Sequence, residues 1–302
     1  MRAPFAAKIM RAIQRSMRKK REKGRENLYS DVSGTLDIQY SGDKNKRHRL
    51  DVYYKDKTET APVIIVVHGG GYVSCEKEIN TLQARYFATR GFKVVNADYT
   101  LQPEAGFAEE MRELACVVNW INDHKNEYGF DTERVYLTGD SAGGHLVLLY
   151  GAICGNERLR KYFGFEKPAL SIKAICATCP AIDLEDATKG GKPSRENTMA
   201  ILGSIMFPKG FDKELIDNVS IPKLLPESEL PPIMAITTPT DTGLYKYAVR
   251  LKDEMTKNEK DFTYKEYVGR SNKLDHVFNV LFPEYEESIE ANEDMINFFL
   301  AH

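Results

Sequence analysis

The sequence predicts an α/β fold with a mainly parallel central sheet flanked by helices. Two observations carry this. Five apolar runs of strand length, PVIIVVHGGG (62–71), GFKVVNADY (91–99), RVYLTGDS (134–141), SIKAICATC (171–179) and PPIMAITTP (231–239), are continuous rather than alternating. Strands buried on both faces read this way. Helical segments at 107–127, 142–154, 241–257 and 285–300 interleave with them. Apolar strand, helix, apolar strand, repeated, describes a parallel sheet covered by helices.

The other elements follow in order. TLDIQY (35–40) and RLDVYYK (49–55) precede the buried runs, and the second alternates Leu50, Val52 and Tyr54 on one face. That is the pattern of an edge or hairpin strand. FTYKEYVG (262–269) is a weaker strand. The stretch 183–230 breaks the rhythm and is too long for an ordinary connection. It is expected to form an inserted lid or cap over the strand ends, completed by residues 1–30. The whole of 1–302 is expected to be one domain, a length that supports a large buried core.

Composition narrows the classes. A chain with 42% hydrophobic and 28% charged residues is ordinary for a globular protein. A formal net charge of −2 gives no general reason to expect nucleic acid as a partner. No apolar run approaches the ~20 residues of a membrane span, so no stable membrane insertion is expected. Charges from Arg2 through Lys8, Arg11, Arg15 and Arg18 interrupt any apolar core of a signal peptide. Five cysteines argue against a disulfide framework. The C-x-x-C of Cys176 and Cys179 falls in an apolar run and reads as part of a buried strand. A reducing, cytoplasmic setting is the expectation.

Residues 1–27 are basic, and Phe5, Ile9, Ile13 and Met17 recur every four positions, on one face of a helix. Such a helix suits a membrane surface or a nucleic acid, or it packs its apolar stripe on the rest of the protein. The narrow stripe without Trp favours packing.

The chemistry gathers just after the apolar runs, where ligands of parallel sheets bind. Gly139-Asp140-Ser141-Ala142-Gly143 matches G-x-S-x-G between a strand and a helix, the context of a nucleophile elbow. The helix start supplies unpaired N–H groups and the positive end of a dipole. His68-Gly69-Gly70-Gly71-Tyr72 ends the first buried run. Its glycines can turn N–H groups toward a developing oxyanion, alongside the residue after the nucleophile. The expected donors are Gly69, Gly70 and Ala142.

A base and an acid should follow the nucleophile in the order Ser, Asp or Glu, His. Of the six histidines, His145, His276 and His302 lie beyond Ser141. His145 is on the elbow helix and reads as packing, and His302 is terminal. His276, in SNKLDHVFNVLF after the last strand, is the expected base. Asp241 directly follows the run 231–239 and is the expected acid. Asp275 adjoins His276 too closely in sequence, and Asp253 lies deeper in the next helix. Trp120 reads as core, and Tyr72 as a packing or pocket residue. No cluster has metal-ligand spacing and no phosphate loop is present.

With HGGGY, GDSAGG, Asp241 and His276 together, the chain resembles the hormone-sensitive-lipase-like family, in its bacterial acetyl-esterase and short-chain carboxylesterase branch. The resemblance runs from about residue 60 to the C-terminus, and LPPIMAITTPTD is similar to the segment leading to the family's acid. It implies an eight-stranded α/β-hydrolase fold with a helical cap, an acyl-enzyme on Ser141 and no cofactor. The implied partner is a small-molecule ester substrate. The sequence departs from the family at Pro239-Thr240-Asp241-Thr242-Gly243, and at His276-Val277-Phe278 where the family has H-G-F. These positions bear on loop geometry and substrate preference. An amidase or formamidase would use the same triad, and a non-catalytic binding relative would keep the same pocket. The oligomeric state stays open, a homo-oligomer included.

Overall fold

Each apolar run forms a strand whose side chains alternate between two buried layers. In the computed structural model, which describes residues 5–189, 198–269 and 274–302, Val63, Ile65 and Val67 enter one apolar cluster. Ile64 and Val66 enter a second cluster on the opposite face. Val135 and Leu137 divide from Tyr136 in the same way, and Ile233 and Ala235 from Met234 and Ile236. With no face left for water, these strands need no polar alternation, which explains the continuous runs.

The strands are β1 (Ser33–Gln39), β2 (Arg49–Tyr54), β3 (Ala61–Val67), β4 (Lys93–Ala97), β5 (Phe130–Asp140), β6 (Ile172–Thr178), β7 (Ile233–Thr237) and β8 (Phe262–Glu266). They form one sheet in the order β1-β2-β4-β3-β5-β6-β7-β8. β2 is antiparallel to β1 and to β4, and every other pairing is parallel. The expected hairpin strand is therefore present at the sheet's antiparallel end. Register sets the site: Val67 pairs with Gly139, Asp140 with Thr178, and Thr178 with Ile236. The carboxyl ends of β3, β5, β6 and β7 thus lie side by side.

The helices Phe107–Asp123, Ala142–Cys154 and Tyr245–Lys257 cover one face, and Thr81–Thr89 and Glu286–Ala301 the other. In the helix Ala142–Cys154, every residue from Ala142 to Ile153 is buried. Its run HLVLLYGAI is apolar all round because it lies between the sheet and other helices. Trp120 is core, stacked on His124. Cys176 faces the second cluster, whereas Cys179 lies beyond the end of β6 with Val277 and Val280, and both are free thiols.

The described residues of the insertion 183–230 include the helices Glu185–Thr188, Thr198–Met206, Lys213–Val219 and Ile221–Leu224. Residues 190–197 of that expected cap, and 1–4 of its N-terminal part, lie outside the described residues. Leu184, Leu202 and Ile216 of the insertion belong to the main core.

The N-terminal helix, Phe5–Glu22, does not bury its apolar stripe. Phe5, Ile9, Ile13 and Met17 are exposed, and the side that docks carries Ala7, Arg11 and Arg18. The reason is polar: the Arg11 guanidinium donates to the Val73 carbonyl (2.8 Å) and to both carboxylate oxygens of Glu104 (2.7 and 2.8 Å). A bidentate pair of this kind fixes the helix orientation more strongly than a narrow stripe can. No described helix is long and apolar enough to cross a membrane.

Candidate active site

The turn from β5 into the helix Ala142–Cys154 places Ser141 at φ 54° and ψ −116°, a conformation a side chain rarely adopts. Three backbone bonds hold it there. The Ser141 N–H donates to the Thr178 carbonyl (2.9 Å), and the Ser141 carbonyl accepts from His145 (3.1 Å) and Ala181 (3.1 Å). The close packing demands glycine at 143, where a Cβ would strike the Val67 carbonyl and meet that of His68 at 2.6 Å.

His276 and Asp241 come from separate elements and meet. The His276 Nδ1 lies 2.7 Å from Asp241 Oδ2. Asp241 is buried, and its Oδ1 accepts from the Leu244 N–H (3.1 Å). Burial alone would raise this carboxyl. The His276 contact outweighs it, with help from Leu244, and holds Asp241 below the usual carboxylate range. The carboxylate therefore orients the imidazole through Nδ1 and leaves the other ring nitrogen to face elsewhere. Asp275 accepts from the backbone N–H of His276 (2.7 Å), and Asp253 is exposed on its helix.

Ser141, Asp241 and His276 share the wall of one cavity of about 520 Å³. Gly70, Gly71 and Ala142 line it as well. Gly69 does not, which corrects the expected donor set. Its N–H donates to Asp140 Oδ1 (3.1 Å), an oxygen that also accepts from the Asn80 side chain (2.9 Å). Gly70 and Gly71 have φ of +112° and +61°. These left-handed turns swing the chain so that the second and third glycines, not the first, reach the cavity. Ala142, as the first residue of its helix, has no carbonyl one turn earlier to bond.

His145 and His68 are held in buried packing. His145 is buried between the Tyr72 hydroxyl (2.9 Å) and the Val219 carbonyl (2.6 Å). Burial pushes its imidazole down to about 4. His68 is also buried, with Nδ1 at the Gly69 carbonyl (2.7 Å) and its ring stacked on Tyr99. Tyr72 both packs against Phe107 and lines the cavity. His302 is exposed at the terminus.

A family model, BD-FAE, matches residues 50–243. The chain belongs to the BD-FAE family. The matched segment contains Ser141 and Asp241, and His276 lies beyond it. Among curated relatives, the Mycobacterium tuberculosis protein named "Probable carboxylic ester hydrolase LipM" is 28% identical over 152 residues, 49% of this chain and 34% of that protein. An acetyl esterase of Salmonella schwarzengrund is 30% identical over 99 residues, 32% of this chain and 30% of its own length. The chain thus spans about a third of the length of these relatives. Esterase B of Lactobacillus rhamnosis superposes with a TM-score of 0.88 at 26% identity, covering 98% of this chain and 93% of the other. This BD-FAE member therefore has the α/β-hydrolase fold of esterases, as the motif resemblance implied.

Two features of the site were not foreseen, the roles of Asp140 and Cys179. Asp140 ties the glycine loop to the elbow. The N-terminal helix supplies Met10, Gln14, Met17 and Arg21 to the cavity wall, which Met199 and Leu202 of the insertion also line. Cys179 has its Sγ within 4.8 Å of the facing Asp241 and His276 atoms. Burial raises that thiol far above its ordinary value. Held protonated, it is a hydrogen-bond donor beside Asp241 and a poor metal ligand. The only sequence signal for Cys179 is its place at a strand end next to the Ser141 strand.

Proposed function

We propose that this chain is a serine carboxylesterase for short acyl esters, with Ser141 as nucleophile, His276 as base and Asp241 as its orienting acid. The observation that carries the reading is the 2.7 Å contact of His276 with a buried, ionised Asp241, on the wall of the cavity that Ser141 also faces. Ser141 Oγ attacks the ester carbonyl carbon while its proton passes to His276. The carbonyl oxygen takes up the electron pair and is met by the N–H groups of Gly70, Gly71 and Ala142. Collapse of this intermediate breaks the bond to the alcohol oxygen, which leaves with the proton from His276. Water, activated by the same imidazole, then releases the acid from Ser141.

The relatives named esterases support the ester over the amide. The cavity volume suits a small substrate. The Lactobacillus rhamnosis esterase B is described as inhibited with a C4-C4 SN3 tributyrin phosphonate, which favours short acyl groups. The N-terminal helix and the helix Thr198–Met206 serve as the cap over this cavity.

The test is hydrolysis of p-nitrophenyl esters from acetate to palmitate, beside Ser141→Ala. The expected profile favours the short esters, and Ser141→Ala lowers kcat by about five to six orders of magnitude. A folded wild-type protein that cleaves amides and no ester would overturn the reading.

A further inference from the structure

The N-terminal helix is fixed to the body on one side and presents an uncovered apolar stripe on the other. Phe5 is 79% exposed, Ile9 44%, Ile13 52% and Met17 58%. Lys8, Lys19, Lys20 and Lys23 are exposed around the stripe, and among the described residues none is in an ion pair. Residues 1–25 contain ten Lys and Arg against one acid, Glu22. The other residues contain 32 Lys and Arg against 43 Asp and Glu. The excess of basic residues therefore falls on the helix that also carries four exposed apolar side chains in a row.

From this juxtaposition we propose that the N-terminal helix docks the protein reversibly on an anionic lipid surface. An apolar stripe ringed by lysines, on a helix of low overall hydropathy, lies in the plane of an interface with its stripe among the acyl chains. The lysines draw it to negatively charged headgroups. The helix is already folded and held through Arg11 to Val73 and Glu104, so binding needs no ordering of the chain. Met17 is at once on the exposed stripe and in the cavity wall. Docking on the stripe therefore brings the cavity to the lipid. A second copy is a poorer occupant. A two-fold contact through this helix would set basic residues against their own equivalents, which is repulsive.

Co-sedimentation tests this without any need for turnover, so it stands or falls apart from the esterase reading. The full chain is mixed with vesicles of phosphatidylcholine and phosphatidylglycerol, or of phosphatidylcholine alone. Binding is expected to the anionic vesicles and to weaken with added salt. Lys19→Gln with Lys20→Gln should reduce partitioning about thirtyfold. Ile9→Asp with Ile13→Asp should reduce it at least about a hundredfold, since both side chains leave the acyl region. Neither residue lines the cavity, so this variant keeps its hydrolysis of soluble p-nitrophenyl acetate. Should it not fold, the lysine variant decides. The proposal fails if the wild type ignores anionic vesicles or if the apolar variant binds as well as wild type. It also fails if the stripe proves to be a dimer contact, with a wild-type dimer that the apolar variant converts to monomer. Retention on duplex DNA in place of vesicles overturns it too.

Discussion

In the proposed triad Asp241 acts through one short contact with His276, and its replacement separates geometry from charge. Asp241→Asn keeps the shape but presents an amide to His276 Nδ1, which favours the wrong tautomer. We expect kcat on p-nitrophenyl acetate to fall about ten-thousandfold with little change in fold by circular dichroism. Near-full activity would move the acid's role elsewhere. His145 makes a second prediction, on stability. Its folded-state pKa of about 4 lies below the ordinary 6.5, so on acidification the unfolded chain takes up the proton first. Stability is fully present above 6.5, declines as pH falls from 6.5 toward 4, and loses about 3 kcal/mol from this group. Urea unfolding of wild type and His145→Asn across that window checks this: the variant should show the shallower dependence.

At the level of elements, the sharpest constraint is the approach of the helix Ala142–Cys154 to the end of β3. A methyl group at 143 has backbone carbonyls in its way, which cannot swing aside as a side chain can. Gly143→Ala should destabilise by about 3 kcal/mol, read as a lower urea midpoint, and a wild-type midpoint would contradict the packing described. The elements that could be read from the sequence are those whose signal is local. Continuous apolar runs gave β3, β4, β5, β6 and β7, and the alternation of Leu50, Val52 and Tyr54 marked β2. Thr81–Thr89 was missed, since TLQARYFAT mixes buried Gln83 and Tyr86 with few aliphatics. Which glycine of His68–Gly71 faces the cavity depends on left-handed turns and on the partner Asp140, both tertiary. Likewise the outward stripe of the N-terminal helix follows from Arg11 meeting Glu104, residues 93 positions apart.

Taken whole, the molecule is one sheet with a core on each face, and the residues of the proposed triad stand in an order along the chain that matches the order of their strands across the sheet. Trp120, the sole tryptophan, sits in the core on one face. The helix Glu286–Ala301 packs on the other face. Unfolding in urea should therefore give coincident curves by Trp120 fluorescence and by far-ultraviolet circular dichroism. A fluorescence transition that runs ahead would mean that the two faces come apart separately. The cavity wall has a further consequence in time. It takes residues from Met10 to Phe282, so its first contributor leaves the ribosome long before its last. A nascent chain arrested before residue 276 holds Ser141, the glycine loop and the lysine-ringed helix, yet lacks His276, the base of the proposed triad. On the two proposals taken together, the chain reaches a lipid surface during synthesis before it can act on anything there.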